Sequence, residues 1–295
     1  MIKKKLDVFS LIKSEIEVLK KSGSETASLD CRLLLSFVLE KKSTLYTHEN
    51  VYITDDEIKN FKVLISERSL GKPVSRIINK RNFWKRDFKL NEEVLDPRQD
   101  TEVLITAVLK YYTNIFDKLD ILDLGSGSGC IGLSLLEELK NSNVSFLDVS
   151  KKSLEIVKIN ATEYNLEHRS AYFQLNWNSK NWDSDLLKFR NKSKFDIIVT
   201  NPPYIPTDEI KSLQREVKDF DPFVALDGGL DGLMAYKTIF PKFNRILKNG
   251  SKIFVEIGMG QEDMVIKIGY ENNLLLLGYE KDLSGIVRVI VFMTK

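Results

Sequence analysis

The strongest constraint on the fold is an alternation that begins near Leu119 and continues to the end of the sequence. Short apolar runs rich in β-branched residues alternate there with stretches of helical spacing, a pattern typical of a parallel sheet covered by helices on both faces. The runs that predict strands are residues 121–124, 144–147, 195–199 and 252–256. Two more runs, 274–277 and 286–292, are joined by residues 278–285, a stretch too short for a helical crossover. We therefore predict an α/β fold whose last two strands are antiparallel.

The beginning of the chain has a different pattern. Across residues 6–70 the apolar positions recur at helical spacing, without strand-like alternation. Thr54 and Glu57 match the capping box that starts many helices. The apolar residues that would share one face of this helix are Ile58, Phe61, Leu64 and Ile65. The helix should end near Gly71 and Pro73, so we predict a small helical domain over residues 1–72.

A segment of mixed character connects the two patterns. Phe83 and Trp84 stand beside alternating charges, which favours a hairpin. After Pro97, residues 100–112 predict a helix whose acidic first turn suits the helix dipole. We therefore predict a linker hairpin over residues 73–98 and a larger domain over residues 99–295.

The composition excludes several classes of protein. With 43% hydrophobic and 29% charged residues, the chain lies near the globular average. No run approaches the roughly 20 apolar residues of a membrane span, and no signal-peptide core follows the first lysines, so we expect a cytoplasmic protein without a membrane partner. Cys31 and Cys130 fit no metal-ligand pattern, and His48 and His168 lie far apart. We expect two buried cysteines, no metal site and no histidine-based catalytic triad.

Charge is distributed unevenly along the chain. Residues 1–90 contain 19 Lys and Arg against 12 Asp and Glu. A basic segment of this kind can meet RNA, DNA or an acidic protein, or it can simply be the solvated surface of helices. Charge alone therefore does not choose a partner.

A glycine-rich segment lies where the first predicted strand of the larger domain gives way to a helix. It is Asp123-Leu-Gly125-Ser126-Gly127-Ser128-Gly129-Cys-Ile-Gly132. Glycines at this place allow tight turning and close approach of the backbone to a ligand. Gly127 to Gly132 also satisfies the G-x-G-x-x-G dinucleotide pattern, so the segment alone does not separate a nicotinamide cofactor from S-adenosylmethionine. It predicts a nucleotide-binding loop.

An acidic residue follows at the spacing that such loops require. Asp148 closes the next apolar run, 19 positions after Gly129, where a carboxylate can accept both hydroxyl groups of a ribose. It can also be a surface residue that caps the helix beginning at Ser150. Both nucleotide classes use an acid at this place.

The most specific motif is an apolar strand that runs directly into Asn201-Pro202-Pro203-Tyr204. Two successive prolines fix the backbone and remove two amide donors, so the carbonyl groups of the loop can point outward. The Asn201 side-chain oxygen and the Pro202 carbonyl can then accept both hydrogens of one planar NH₂ group, while Tyr204 packs on its flat face. The loop predicts a site for an amide or an exocyclic amine.

Together these motifs resemble those of class I S-adenosylmethionine-dependent methyltransferases that act on nitrogen. Asn-Pro-Pro-Tyr is shared by enzymes that methylate adenine N6, guanine N2 and protein glutamine N5, so other stretches must choose among them. Those that resemble the HemK-type release factor glutamine methyltransferases are residues 71–73 (GKP), 95–102 (LDPRQDTE), 216–229, 231–233 and 256–261 (EIGMGQ). Their order and spacing extend through nearly the whole chain.

The resemblance implies a Rossmann-like, seven-stranded, mostly parallel methyltransferase sheet with a small N-terminal helical domain. It implies S-adenosyl-L-methionine as cofactor, S-adenosyl-L-homocysteine as its product, and no metal. The residues implied for the cofactor are Asp123, Gly125, Ser126, Gly127, Ser128, Gly129, Asp148, Trp177 and Asn201. The residues implied for the substrate are Asn201, Pro202, Pro203 and Tyr204, with Asn201, Pro202 and Tyr204 as the catalytic set. Asn176 stands where the family usually has Asp, and Arg76 where it commonly has an aromatic residue.

The function implied is methyl transfer to a glutamine, in the GGQ motif, of a class I peptide chain release factor by a monomeric enzyme. One alternative is glutamine methylation of a ribosomal protein. Another is methylation of adenine N6 or guanine N2 in a nucleic acid, for which the sequence lacks a zinc ribbon and any recognised nucleic-acid module. A nicotinamide-dependent oxidoreductase would leave the Pro-Pro loop unexplained, and a catalytically silent binding module would not need Asn201. The sequence therefore predicts a protein-glutamine methyltransferase with no nucleic-acid substrate.

Overall fold

A computed structural model describes residues 3–41 and 43–295. The chain divides into two compact units. The first comprises Met1–Lys80 with Gln214–Phe220, and the second comprises Arg81–Leu213 with Asp221–Lys295. The domain boundaries after residues 72 and 98 remain a prediction.

The first unit is mainly helical. Its helices are α1 (Val8–Lys21), α2 (Ala27–Val38), α3 (Asp55–Ser69), α4 (Val74–Ile78) and the short α9 (Arg215–Lys218). Both halves of the predicted capping box form, because the Thr54 hydroxyl accepts from the Glu57 amide and the Glu57 carboxylate accepts from the Thr54 amide. Phe61 and Ile65 are buried on the face predicted for α3. The helix prediction is thus confirmed here.

The expectation that this part of the chain lacks strands was wrong. Strands β1 (Lys4–Asp7) and β2 (Asn50–Ile53) pair antiparallel. In β2 only Val51 and Ile53 are buried, so the alternation covers too few residues to distinguish a strand from a helix turn. A strand of four residues is therefore difficult to recognise from the alternation of its apolar residues.

A buried ion pair joins the helices of the first unit. Arg68 Nε donates to Asp30 Oδ2 at 2.7 Å, and another Arg68 nitrogen lies 2.6 Å from Glu216 Oε1. The Arg68 and Asp30 side chains are only 7% and 6% exposed. A charge this deep is tolerated only when it is paired, and this pair links α2 to α3.

Replacing Arg68 by methionine should therefore destabilise the protein by about 3 kcal/mol, since Asp30 would be left buried without its cation. Urea unfolding would measure the change. Lys72→Met is the matched control, because its ion pair with Glu67 is more than a third exposed and is expected to contribute under about 1 kcal/mol. Equal losses in the two variants would contradict this account.

The second unit contains the predicted sheet. Its strands are β3 (Lys80–Phe83), β4 (Arg86–Lys89), β5 (Asp120–Leu124), β6 (Asn143–Asp148), β7 (Ser170–Gln174), β8 (Phe195–Thr200), β9 (Leu247–Glu256), β10 (Leu274–Lys281) and β11 (Val287–Thr294). Its helices are α5 (Glu102–Tyr111), α6 (Cys130–Glu138), α7 (Lys151–Glu163), α8 (Trp182–Phe189), α10 (Phe223–Leu226), α11 (Met234–Ile246) and α12 (Glu262–Glu271). Short 3₁₀ helices cover Gln99–Thr101, Glu167–Arg169 and Thr207–Ser212. Every strand predicted from residue 121 onward is present.

Seven of these strands form one sheet in the order β10-β11-β9-β8-β5-β6-β7. The links from β9 through β8, β5 and β6 to β7 are parallel, whereas β11 is antiparallel to both β9 and β10. One apolar cluster covers each face, with α5, α6 and α7 on one side and α8, α11 and α12 on the other. The fold class and the antiparallel last pair are confirmed.

The sequence missed β7 because all five of its residues are partly or fully exposed at the edge of the sheet. An edge strand with no continuous buried face lacks the apolar run by which the central parallel strands were recognised. Its omission matters for the site, because the residues that follow β7 line the cavity described below.

The predicted hairpin is present but shorter than residues 73–98, since β3 and β4 span residues 80–89 and α4 precedes them. Phe83 and Phe88 are buried in the core of the second unit. The indole nitrogen of Trp84 donates to Glu138 on α6 at 2.8 Å, and Lys85 forms an ion pair with the same carboxylate. These contacts anchor the hairpin to the second unit.

Candidate active site

A cavity of about 310 Å³ lies at the carboxyl edge of the sheet. Parallel strands β5, β6, β7 and β8 all end there, so the residues that follow them converge on one edge. The predicted residues that line the cavity are Gly125, Ser126, Gly127, Ser128, Asp148, Trp177, Asn201 and Pro203. Gly125 and Pro203, which are 78 positions apart in the chain, are thus brought together in one cavity.

The glycine-rich loop turns sharply as it leaves β5. The backbone φ values of Gly125, Gly127 and Gly129 are +79°, +52° and +78°. Residues other than glycine rarely adopt these values. Gly125 and Ser126 both donate their amide hydrogens to the Leu147 carbonyl at the end of β6, at 2.8 and 3.1 Å. The loop therefore follows the edge of the sheet and presents its backbone to the cavity.

The Asp148 carboxylate organises the opposite side of this loop. Its Oδ2 accepts from the Gly127 amide and its Oδ1 from the Ser150 amide, each at 2.9 Å. Burial raises the pKa of Asp148, and these backbone donors oppose that effect. Each carboxylate oxygen has a second acceptor position, so Asp148 can bind ligand hydroxyl groups while it holds the loop.

The polar groups behind the loop are less exposed. Asp123 is fully buried, and its Oδ2 accepts from the Gly132 amide at 2.9 Å. Burial raises the pKa of Asp123 to about 7, because little solvent remains to stabilise its charge. The hydroxyl of Ser126 is buried with no hydrogen-bond partner in the described part of the chain. A buried hydroxyl without a protein partner in a cavity wall is available to a ligand.

The wall that follows β7 is aromatic. A Cβ atom on Gly125 would lie 3.0 Å from Trp177 Cζ3, so the indole packs directly against the glycine-rich loop. Asn176 lines the same wall, and its Oδ1 accepts from the Asn178 amide at 2.9 Å. A flat apolar surface beside a hydrogen-bonding edge is suited to a heteroaromatic ring.

The Asn-Pro-Pro-Tyr loop leaves β8 on the far side of the glycine-rich loop. Asn201 lines the cavity and its Nδ2 donates to Thr101 Oγ1 at 3.2 Å. Pro203 also lines the cavity, Pro202 is buried, and the Tyr204 hydroxyl faces the Glu256 carboxylate at 3.4 Å. Asp123, Gly129, Pro202 and Tyr204 are thus beside the cavity but not part of its surface.

Two later stretches hold this loop in place. Gln261 Nε2 donates to the Tyr204 carbonyl at 2.9 Å, and Ile205 pairs with Asp227 as an isolated parallel bridge. A Cβ atom on Gly228 would lie 2.8 Å from the Tyr204 backbone, so only glycine fits there. The stretches at residues 216–229 and 256–261 therefore contain residues that support the loop.

Some residues of the site were assigned no role from the sequence. Thr101 lines the cavity, and Glu256 is buried behind Asn201 and Tyr204. Apolar residues that line the cavity but were assigned no role are Leu95, Cys130, Ile131, Val149, Leu175, Phe223, Val224, Ala225, Met234 and Ala235. Thr101 and Glu256 lie in the stretches 95–102 and 256–261, so the resemblance was the available signal for them. Of the apolar residues, only Val149, Leu175, Met234 and Ala235 lie outside the resembling stretches and the glycine-rich segment, and these had no signal.

Within residues 3–41 and 43–295, no group of three or more His, Cys, Asp or Glu residues is placed to hold a metal ion. Over the same residues, no helix has the length and apolar character needed to cross a bilayer. Cys31 and Cys130 are both buried and unpaired with each other.

Two family profiles match different parts of the chain. The profile described as PrmC N-terminal domain matches residues 10–78, and the one described as Methyltransferase small domain matches residues 96–217. The release factor glutamine methyltransferase of Clostridium acetobutylicum is 36% identical over 286 residues, which cover 96% of this chain and 96% of that protein. The corresponding protein of Caulobacter vibrioides is 35% identical over 92% of this chain and 91% of its own length.

The chain belongs to the release factor glutamine methyltransferase family. It is also 34% identical, over 93% of its length, to the bifunctional methyltransferase of Rickettsia felis. The match covers 55% of that protein, so the chain spans about half the length of the Rickettsia relatives it matches. Membership in the release factor glutamine methyltransferase family confirms the resemblance inferred from the motifs. It also decides against the nicotinamide-dependent oxidoreductase that the glycine-rich loop had left open.

Proposed function

We propose that this protein transfers the methyl group of S-adenosylmethionine to the side-chain amide nitrogen of a glutamine in a class I peptide chain release factor. The observation that carries the proposal is the juxtaposition of Asn201 with the glycine-rich loop in the wall of one cavity. An acceptor site for an NH₂ group there borders a site suited to a nucleoside. The nearly full-length relatives named for this activity support the same proposal.

The residues present fit the proposed cofactor. Asp148 has acceptor positions available for the ribose hydroxyls, and Trp177 offers a flat face for the adenine ring. The buried Ser126 hydroxyl, which has no partner in the described part of the chain, is suited to a hydrogen bond with the methionine part of the cofactor. When bound, S-adenosylmethionine supplies a methyl group on a sulfonium, which is a good leaving group. Ser128 and Gly129 complete the proposed cradle, with Asp123 supporting it through Gly132.

The chain must activate a poor nucleophile, because the lone pair of an amide nitrogen is delocalised into its carbonyl. In the proposed complex, Asn201 Oδ1 and the Pro202 carbonyl accept the two amide hydrogens, and Tyr204 stands beside them. These acceptors stabilise the positive charge that develops on nitrogen in the transition state more than they stabilise the neutral amide. They also fix the direction of attack, and holding reacting groups in line can contribute roughly 7–11 kcal/mol.

The proposed reaction needs no strong base before methyl transfer. The nitrogen becomes acidic only as it is alkylated, so its proton can leave to water afterwards. Asn201 and Pro202 therefore act as hydrogen-bond acceptors throughout and are not required to hold a proton.

Initial rates with a panel of acceptors would test the substrate. Methyl-labelled S-adenosylmethionine is supplied with a class I release factor, a ribosomal protein extract, unmodified RNA or unmodified DNA. Transfer is expected to the release factor alone. Label on a ribosomal protein would move the proposal to a sister substrate, and label on nucleic acid would remove it.

A separate prediction concerns the cofactor. Asp148→Asn should weaken binding of S-adenosylhomocysteine by about tenfold to a hundredfold, since it removes the charge from hydrogen bonds that the ribose would make. Isothermal titration calorimetry would measure the Kd. Glu155→Gln on α7 is the control, because this exposed carboxylate lies outside the cavity, 4.0 Å from Lys151. An unchanged Kd in Asp148→Asn would contradict the assignment.

A further inference from the structure

A chain of polar side chains runs from the cavity into the core behind Asn201. Asn201 Nδ2 donates to Thr101 Oγ1 at 3.2 Å, and the Thr101 hydroxyl interacts in turn with the Glu256 carboxyl group. Tyr204 Oη approaches Glu256 Oε1 at 3.4 Å. Glu256 is 1% exposed, and its Oε2 has no hydrogen-bond partner among residues 3–41 and 43–295. None of these contacts is explained by methyl transfer itself.

We propose that Thr101 and Glu256 are positioning residues that set which end of the Asn201 amide faces the cavity. While Glu256 is ionised, the chain of hydrogen bonds turns Asn201 Oδ1 toward the substrate as an acceptor. This inference rests on the proposed function, since it concerns the acceptor that the glutamine amide would meet. It goes beyond that function by making the acceptor depend on one buried carboxyl group.

The direction of the hydrogen bonds follows from what each group can do. In the proposed arrangement the single Thr101 proton points to Glu256, because an ionised carboxylate can only accept. Thr101 Oγ1 is then an acceptor toward Asn201 and selects its NH₂ group, as observed at 3.2 Å. The amide oxygen of Asn201 is consequently the atom left for the cavity.

Protonation of Glu256 removes this selection. A neutral carboxyl group can donate to Thr101, whose own proton is then free to donate to Asn201 Oδ1. That arrangement turns the Asn201 amide by about 180° and presents its NH₂ group to the cavity. Two NH₂ groups would then face each other, so the substrate amide would lose its acceptor.

The surroundings of Glu256 place its titration in an accessible range. Burial raises the pKa of Glu256 to about 7, against the opposing effect of the Thr101 hydroxyl. Arg288 on β11 lowers the pKa of Glu256 and Asp100 raises it. The titratable groups that face Glu256 from the elements packed around it are Asp100, Cys130, Tyr204, Tyr236 and Arg288. The pKa values of Tyr204 and Tyr236 lie above 10 and burial raises that of Cys130 to about 12, so these three stay neutral near pH 7.

The turn of the Asn201 side-chain amide can be followed directly by ¹⁵N–¹H NMR in the protein without substrate. The signals of this amide are identified by their absence in Asn201→Ala. They should shift between about pH 6 and about pH 8.5 with a midpoint near 7 in the wild type. The shift should be absent in Glu256→Gln and in Thr101→Val. Wild-type signals that do not move, or the same titration in Glu256→Gln, would overturn the proposal.

Kinetic measurements provide a second test of the proposal. Below about pH 7 the kcat of the wild type should fall as Glu256 takes up its proton, toward tenfold per pH unit. Glu256→Gln should lose that pH dependence and lower kcat at pH 8 by about tenfold, since an amide can either donate to or accept from Thr101. The apparent KM for S-adenosylmethionine should change by less than about twofold.

The variants of Thr101 separate positioning from packing. Thr101→Val should lower kcat to a similar degree, whereas Thr101→Ser keeps the hydroxyl and should restore it. Thr106→Val on α5 is the control, because its exposed hydroxyl bonds only to the Glu102 carbonyl. If Thr101→Ser did not restore kcat, and a higher pH did not restore the kcat of the wild type, Thr101 and Glu256 would have a structural role alone. That result would overturn the proposal. If the wild type methylates no glutamine, the proposed function fails while the NMR titration still decides the positioning.

Discussion

Asn201→Ala is expected to lower kcat for glutamine methylation by about 100- to 1,000-fold, the range found when a single preorganised hydrogen-bond partner of a transition state is removed. In the proposed site, the Asn201 side chain is the acceptor in the cavity wall, and its Nδ2 bonds to Thr101. Without it, the developing charge on the substrate nitrogen loses one of its two stabilising contacts. Single-turnover rates at saturating cofactor would measure the loss.

The effect should lie in kcat and not in folding. Asn201 is only partly buried, and Pro202 and Pro203 continue to fix the loop backbone. Asn244→Ala on α11 is the matched control, since its exposed amide bonds to the Asn272 carbonyl outside the cavity. A variant at residue 201 that kept more than about half of the wild-type kcat would remove Asn201 from the transition state.

Gly129→Ala is expected to destabilise the second unit by about 3 kcal/mol. Gly129 has φ +78°, which costs other residues about 1–2 kcal/mol, and a Cβ atom there would lie 2.7 Å from Val157 Cγ1. Forcing a methyl group into a packed core adds about 1–3 kcal/mol. Because the loop between β5 and α6 must move to relieve the clash, binding of S-adenosylhomocysteine should also be lost.

Gly127→Ala provides the comparison within the same loop. Gly127 also has positive φ, +52°, but nothing lies within 4 Å of the position of its Cβ. Only the backbone cost remains, so urea unfolding should show a loss of about 1 kcal/mol. If the two alanine variants were equally stable, close packing against α7 would not be the reason for glycine at position 129.

Much of this molecule is predictable from local patterns. The strands β5, β6, β8 and β9 are buried on both faces and therefore leave continuous apolar runs in the sequence. The capping box of α3 is likewise a local device, complete within four residues. By contrast, β2 is short and β7 is an exposed edge strand, so neither has a pattern longer than chance would produce.

The site follows the same division. Some parts of the site are recognisable because the residues that identify them are close together in the sequence. These parts are the glycine-rich loop, Asp148 and Asn201. Glu256 is not recognisable in this way, since its proposed role depends on the sheet, which places the end of β9 behind residues 101 and 204. Trp177 was found by resemblance, and its packing on Gly125 required the fold. Contacts between distant segments of the chain therefore could not be predicted from the sequence.

Peptide mass spectrometry of a methylated release factor tests the central claim most directly. The wild-type protein and Asn201→Ala are each incubated with methyl-labelled S-adenosylmethionine and an unmodified class I release factor, and the labelled residue is then located. We expect one methyl group on the side-chain nitrogen of the GGQ glutamine with the wild type and almost none with the variant. Label on any other residue, or equal labelling by Asn201→Ala, would contradict the account.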